Sequence, residues 1–116
     1  MASSREPAAA AHSSPSPWPP GDPSSLELLA AAQRGDAAAE ERFVAANVRL
    51  VQSIVMKFVP LLRPGRGIDP DDLFQVGCLG LLKAMRGFDL ERSVRFSTYA
   101  VPVIAGEIRR CLREQH

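Results

Sequence analysis

Residues 72–99 have the sequence DLFQVGCLGLLKAMRGFDLERSVRFSTY, and the rest of the chain is organised around them. The stretch has three parts. A helical pattern carries glycine and polar positions among apolar ones, a short charged connector follows, and a basic segment ends in Phe96 and Tyr99. Asp69-Pro70-Asp71-Asp72 opens the helix. Asp69 can cap the free amides, Pro70 fits a first position that needs no amide donor, and the next acids favour the positive end of the helix dipole. The helix is predicted to run to about Arg86, with Gly87 as its stop. Leu73, Phe74, Val76, Leu79, Leu81, Leu82 and Met85 make it apolar on more than one side, so it is buried on several sides or meets a partner. A glycine inside a helix costs about 0.5–1 kcal/mol against alanine. Gly77 and Gly80 therefore predict close backbone packing against another helix. Gln75 and Lys83 interrupt the apolar surface, as ordinary solvent contacts or as hydrogen-bonding points of an interface.

Upstream, residues 1–24 are dominated by Ala, Ser and Pro and hold six of the ten prolines. Such a segment cannot bury enough surface to offset its ordering entropy, so a disordered tail is predicted. Trp18, the one tryptophan, lies in that tail. Ser24 and Glu27 fit a capping box for a short helix to about Arg34, with Gly35 as a left-handed stop. Asp36 caps a second helix. Its apolar stripe, Phe43, Val44, Val48, Val51, Ile54, Val55, Phe58 and Val59, repeats at three and four. Pro60 should end or kink that helix. The loop to Ile68 contains Pro64, Gly65 and Gly67, with Arg63 and Arg66 exposed.

Downstream, residues 88–95 form a charged connector. Ser97 is expected to cap the last helix, with Val101, Ile104, Ile108, Cys111 and Leu112 as its core stripe. Arg109, Arg110 and Arg113 cluster on another face. Pro102 falls within about the first turn, where a helix tolerates it better than in its middle.

The chain has 116 residues, 46% hydrophobic and 23% charged, enough for one small globular domain. No apolar run approaches the ~18–20 residues needed to cross a bilayer, and residues 1–25 have no apolar core of a signal peptide. A cytoplasmic location and no membrane partner are expected. The formal charge is +1, but seven basic residues face four acids between Lys83 and the end, a mild basic bias. Cys78 and Cys111 lack CxxC spacing and read as buried free thiols. The two histidines, His12 and His116, lie near the ends. Neither a metal nor a cofactor is expected, and GxSxG, P-loop and GxGxxG motifs are lacking. An enzyme with a small-molecule substrate is thereby disfavoured.

The remaining site candidate is Arg92-Ser93-Val94-Arg95-Phe96-Ser97-Thr98-Tyr99. Arginines can neutralise phosphates, and hydroxyls beside new helix amides can bind one. Aromatics interleaved with arginines suit single-stranded nucleic acid, where stacking contributes about 1–3 kcal/mol per base. One ring could anchor in the core while the other meets a base, and both rings in the core is the competing reading.

DDLFQVGCLGLLKAMRGFD followed by RFSTYAVPVIAGEIRR resembles the second conserved region of bacterial sigma-70 family transcription initiation factors, most of all the sporulation-type sigma-F and sigma-G group. FVAANVRLVQSIVMKF resembles the helix preceding it. The resemblance covers about Leu26 to the end. It implies an all-α, compact domain of about four helices over residues 25–116, equivalent to sigma regions 1.2 and 2 and incomplete at the C-terminus. That domain would dock on the β′ clamp coiled coil of core RNA polymerase through Asp72, Leu73, Gln75, Cys78 and Leu82. Arg92, Arg95, Phe96, Thr98 and Tyr99 match the segment for the promoter −10 element on the non-template strand. There Tyr99 would take up a flipped base and Phe96 is the better core ring. Arg109 and Arg110 fall where the family approaches the DNA. An anti-sigma factor is a further partner the resemblance allows.

Three departures stand out. The 60–68 loop looks a few residues longer than in sporulation-type relatives. Pro102 and Val103 replace two tryptophans of housekeeping relatives, which implies weaker strand opening and a narrower promoter range. The chain also lacks the part that reads the −35 element, so it looks like a fragment or a truncated product. The competing expectation is a non-initiating decoy or remnant that occupies the polymerase clamp or an anti-sigma partner.

Overall fold

The computed structural model describes residues 26–65 and 67–114. The predicted tail, the Ser24 cap, Trp18, Arg66 and His116 lie outside them. Among the described residues the fold is five α-helices and one 3-10 turn, with no strand. The helices are α1 (Leu26–Gln33), α2 (Ala37–Ala46), α3 (Val48–Phe58), α4 (Pro70–Gly87) and α5 (Phe96–Arg113), and the 3-10 turn is Val59–Leu61. No single described helix is long and apolar enough to cross a membrane.

The first two helix boundaries follow from local chemistry. Gly35 takes φ +95°. Its amide bonds the Ala32 carbonyl and the Asp36 amide the Ala31 carbonyl, both at 3.1 Å. This Schellman closure satisfies carbonyls the helix end leaves free. Asp36 then caps α2 by accepting from the Ala39 amide at 3.1 Å.

The single helix expected through residue 59 is broken at Asn47, which brings the described residues to five helices. The Asn47 side-chain amide donates to the Phe43 carbonyl at 2.9 Å, the acceptor its own backbone amide would use in a continuous helix. That backbone amide moves to the Val44 carbonyl at 3.0 Å. Competition of a side chain with its own backbone stops the ladder, and the chain turns by 50° between α2 and the segment from Val48 to Leu61. Asn47 is 2% exposed, a polar group sealed in the core by these bonds.

Pro60 has the expected effect: α3 stops at Phe58 and tightens into the 3-10 turn. The start of α4 is a reciprocal capping box. The Asp69 Oδ1 accepts from the Asp72 amide and the Asp72 Oδ2 from the Asp69 amide, each at 2.9 Å. α4 stops at Gly87 as expected, with no left-handed residue, and the chain leaves it through extended Phe88. The expectation for Ser97 fails: it does not cap α5, because the helix starts two residues earlier, at Phe96 after Arg95, with no side-chain cap. Pro102 is the seventh residue of α5, in its second turn. It denies the Thr98 carbonyl the amide of residue 102.

α4 and α5 form an antiparallel hairpin at the centre. α3 packs across both, and α1 with α2 covers the end near Phe88. The expected glycine packing is present. A Cβ at Gly80 would lie 2.9 Å from the Ile104 Cα, and one at Gly77 2.8 Å from the Val51 Cγ1. Ile104 and Ile108 are fully buried, but Val101 is 38% exposed, which removes it from the predicted core stripe.

The two helix glycines that differ most in surroundings give a test. Gly80→Ala meets backbone that cannot yield, so it should destabilise by about 1–3 kcal/mol despite alanine's better helix propensity. Gly106→Ala, with nothing within 4 Å of its Cβ, should stabilise by up to about 1 kcal/mol. Urea denaturation of both variants measures the pair, and equal shifts would contradict the contact.

Candidate nucleic-acid and polymerase interface

Four aromatic rings lead from the core to the surface. Phe43 and Phe96 meet edge to face at 4.9 Å, Phe96 and Phe88 at 5.5 Å, and Phe88 and Tyr99 at 5.5 Å. Such edge-to-face pairs place a ring's positive rim on its neighbour's negative face and resist rotation. Phe96 is 5% exposed. It is therefore the core ring, and its inclusion among DNA-contacting side chains is corrected. Tyr99 is half-buried, and its hydroxyl would lie 2.9 Å from a Cβ at Gly87. The glycine read as a helix stop thus leaves room for the tyrosine.

The end of α4 beneath this ring is fastened from α1. Gln33 Nε2 donates to the carbonyls of Met85 and Phe88, each at 2.8 Å. The last carbonyls of a helix have no amide of their own, so one side chain fills that need. In the stretch leading to Tyr99 the side chains of Arg92, Arg95, Ser97 and Thr98 are exposed.

The C-terminal arginines are not equivalent. The Arg109 guanidinium lies 5.6 Å from the Phe58 ring centroid, a cation–π contact onto α3. Arg110 donates to Glu107 Oε1 at 2.9 Å, while Lys83 of α4 donates to Glu107 Oε2 at 2.8 Å. Glu107's carboxyl is held below the ordinary carboxylate range, first by the Lys83 hydrogen bond and then by the charge of Arg110. Among the described residues Arg113 is exposed and has no ion pair.

On α4, Asp71, Gln75, Leu79 and Lys83 form an exposed crest at four-residue spacing. Leu79 is 58% exposed, an apolar residue between two polar ones. The sequence reading missed it as a site residue, although its place between Gln75 and Lys83 was visible. Asp72, Cys78 and Leu82 flank the crest half-buried. Asp72 has one carboxylate oxygen engaged in the capping box. Burial pushes the Cys78 thiol up, keeping it neutral. Leu73 is fully buried, so its proposed docking contact is corrected: its side chain points into the domain's own core. Glu107, Phe88 and Gln33 were also missed. Only Glu107 carried a local signal, its three-residue spacing from Arg110.

Over residues 43–116 the chain matches the family described as Sigma-70 region 2. It is 50% identical over 90 residues to the RNA polymerase sigma-G factor of Clostridium acetobutylicum, a match covering 78% of this chain and 33% of that protein. It is 51% identical over 88 residues to the RNA polymerase sigma-F factor of Bacillus subtilis, covering 76% and 32%. A putative RNA polymerase sigma-G factor of Bacillus thuringiensis subsp. kurstaki is 49% identical over 90 residues, covering 78% of this chain and 68% of that protein. The chain belongs to the sigma-70 region 2 family. It spans about a third of the length of the first two relatives.

The depressed Glu107 carboxyl has a pH consequence. A carboxylate favoured in the folded state contributes stability above its unfolded-state pKa, and that contribution is lost as pH falls through the folded value. The stability gap between the natural chain and Glu107→Gln should be full at pH 7 and narrow as pH drops below about 4. Urea midpoints across that range measure it, and a gap independent of pH would exclude the ionic origin.

Proposed function

We propose that this chain is the polymerase-docking and −10-reading part of a sporulation-type sigma factor, acting in transcription initiation in the cytoplasm. The observation that carries the reading is Tyr99. Its ring is braced by Phe88 on one side, is half-buried, and follows exposed Arg92, Arg95 and Thr98 in the chain. That arrangement suits capture of an unstacked base with its flanking phosphates. Stacking would contribute about 1–3 kcal/mol, and the arginines a salt-dependent share. Arg109 lies further along the same helix. Arg110 belongs to that stretch too, but Glu107 holds it.

The α4 crest short of Lys83 supplies the docking surface for core RNA polymerase. Gln75 offers hydrogen bonds, Leu79 and Leu82 offer apolar area, and Asp72 retains one carboxylate oxygen outside its capping box. Burying Leu79 against the β′ clamp would contribute about 1.5–3 kcal/mol. Cys78 adds a half-buried neutral surface between them. Neither a metal nor a cofactor enters the reading.

Two measurements test it. Leu79→Asp should weaken binding of the chain to core RNA polymerase at least about tenfold, since it places a charge where apolar area is buried. In the complex with core enzyme, Tyr99→Ala should lower affinity for a −10 non-template single strand about 5- to 100-fold, while Tyr99→Phe, which keeps the ring, holds most of it. Unchanged polymerase binding by Leu79→Asp, or equal strand binding by the alanine and phenylalanine variants, would sink the corresponding half of the reading.

A further inference from the structure

Glu107 is one carboxylate shared by two cations on different helices. Its stem is packed at the α4–α5 crossing, where a Cβ at Gly80 would lie 3.3 Å from its Cγ. Its side chain is 18% exposed, against 52% for Lys83 and 53% for Arg110. The acid is thus fixed by packing, and the two bases reach it from solvent. A phosphate approaching this edge must displace an acceptor already 2.8–2.9 Å from both ammonium and guanidinium. Three charged side chains then present a net charge of +1 there instead of +2. Neighbouring Arg109 is turned to the Phe58 ring and does not join the cluster.

We propose that Glu107 is an electrostatic brake on sequence-independent nucleic-acid binding, withholding Arg110 and Lys83 from backbone phosphates. The DNA-facing role of this edge rests on the function proposed above; the brake adds a residue that sets how much affinity comes from charge alone. Sequence-independent binding takes its free energy from phosphates neutralised and counterions released. Masking cations lowers that background, and recognition is left to groups such as Tyr99 that need a base. The sequence shows a cluster of three arginines, and the packed glutamate removes one of them from the count.

The test uses the full 116-residue chain and fluorescence anisotropy with a labelled single strand of scrambled sequence, over a salt series. Glu107→Gln keeps the shape and removes the charge. It should tighten binding about fivefold at 0.1 M salt and steepen the salt slope by about 0.7, the values for one extra phosphate on a single strand. Adding Arg110→Ala should cancel most of that gain. Glu107→Asp should stay close to the natural chain. Lys83→Met leaves the carboxylate to Arg110 alone and should weaken scrambled-strand binding, which keeps the proposal open to refutation even were the glutamine variant to fold poorly. No gain with Glu107→Gln, a gain that survives Arg110→Ala, or tighter binding by Lys83→Met overturns the brake. The Tyr99 variants judge −10 capture separately: a gain with Glu107→Gln but no −10 preference would leave the brake standing and remove the promoter reading.

Discussion

The close approach of α4 and α5 at Gly80 and Ile104 is the constraint on which the rest of the structure depends. Two helix backbones can meet there only because residue 80 has no Cβ. On α4 the buried small residues Gly77, Gly80 and Ala84, with exposed Gly87 beyond them, fall at offsets of three, seven and ten. They share one face of the helix. The three glycines face different demands. Gly77 admits Val51 and Val55 of α3, Gly80 admits the α5 backbone, and Gly87 admits the Tyr99 hydroxyl. The register of the hairpin is fixed at several points, and a slip would put side chains where no space exists. The helix propensity lost at these glycines is offset by the packing they permit.

Fixing the hairpin fixes what lies on it. Tyr99 is the outer member of a ring series that begins at fully buried Phe43, so its orientation is inherited from the core and not from a loop. Gln33 adds a second restraint, since the carbonyls it bonds belong to the last turn of α4 and to Phe88, the ring against Tyr99. α1 is short, but its one polar side chain facing inward closes the helix end on which the aromatic rests. The same logic applies to Glu107, whose stem lies on Gly80.

Much of this was legible in the residues. The caps at Asp36 and Asp69, the stop at Gly35, the break at Pro60 and the packing role of Gly77 and Gly80 all follow from local rules that tertiary contacts did not overturn. The misses have a common form. Asn47 sits within an unbroken apolar stripe, and periodicity cannot register a side chain that competes for its own helix's carbonyl. Leu73 looked like a docking residue and Val101 like a core residue, because a helix apolar on several sides does not state which side faces the domain. Gly87 read as punctuation, whereas its neighbour in space is twelve residues on. Gln33 bonds carbonyls 52 and 55 residues away, a pairing that no short-range pattern encodes.

A rigid carrier matters for the proposed role because of what stacking on an unpaired base costs. A free side chain that orders on binding forfeits about 0.5–1.5 kcal/mol of rotamer entropy, a large share of the about 1–3 kcal/mol a stack returns. Tyr99, already restrained by Phe88 and seated over Gly87, has met most of that cost during folding. The docking crest needs no comparable restraint. Asp71, Gln75 and Leu79 stand on successive turns of one helix, whose backbone sets their spacing at about 6 Å. Both surfaces therefore rest on the same 18-residue helix, one along its exposed crest and the other where its last turn meets the start of α5. The relation between them is set by helix geometry, and a hold on the crest by polymerase would carry Tyr99 to a fixed place relative to it.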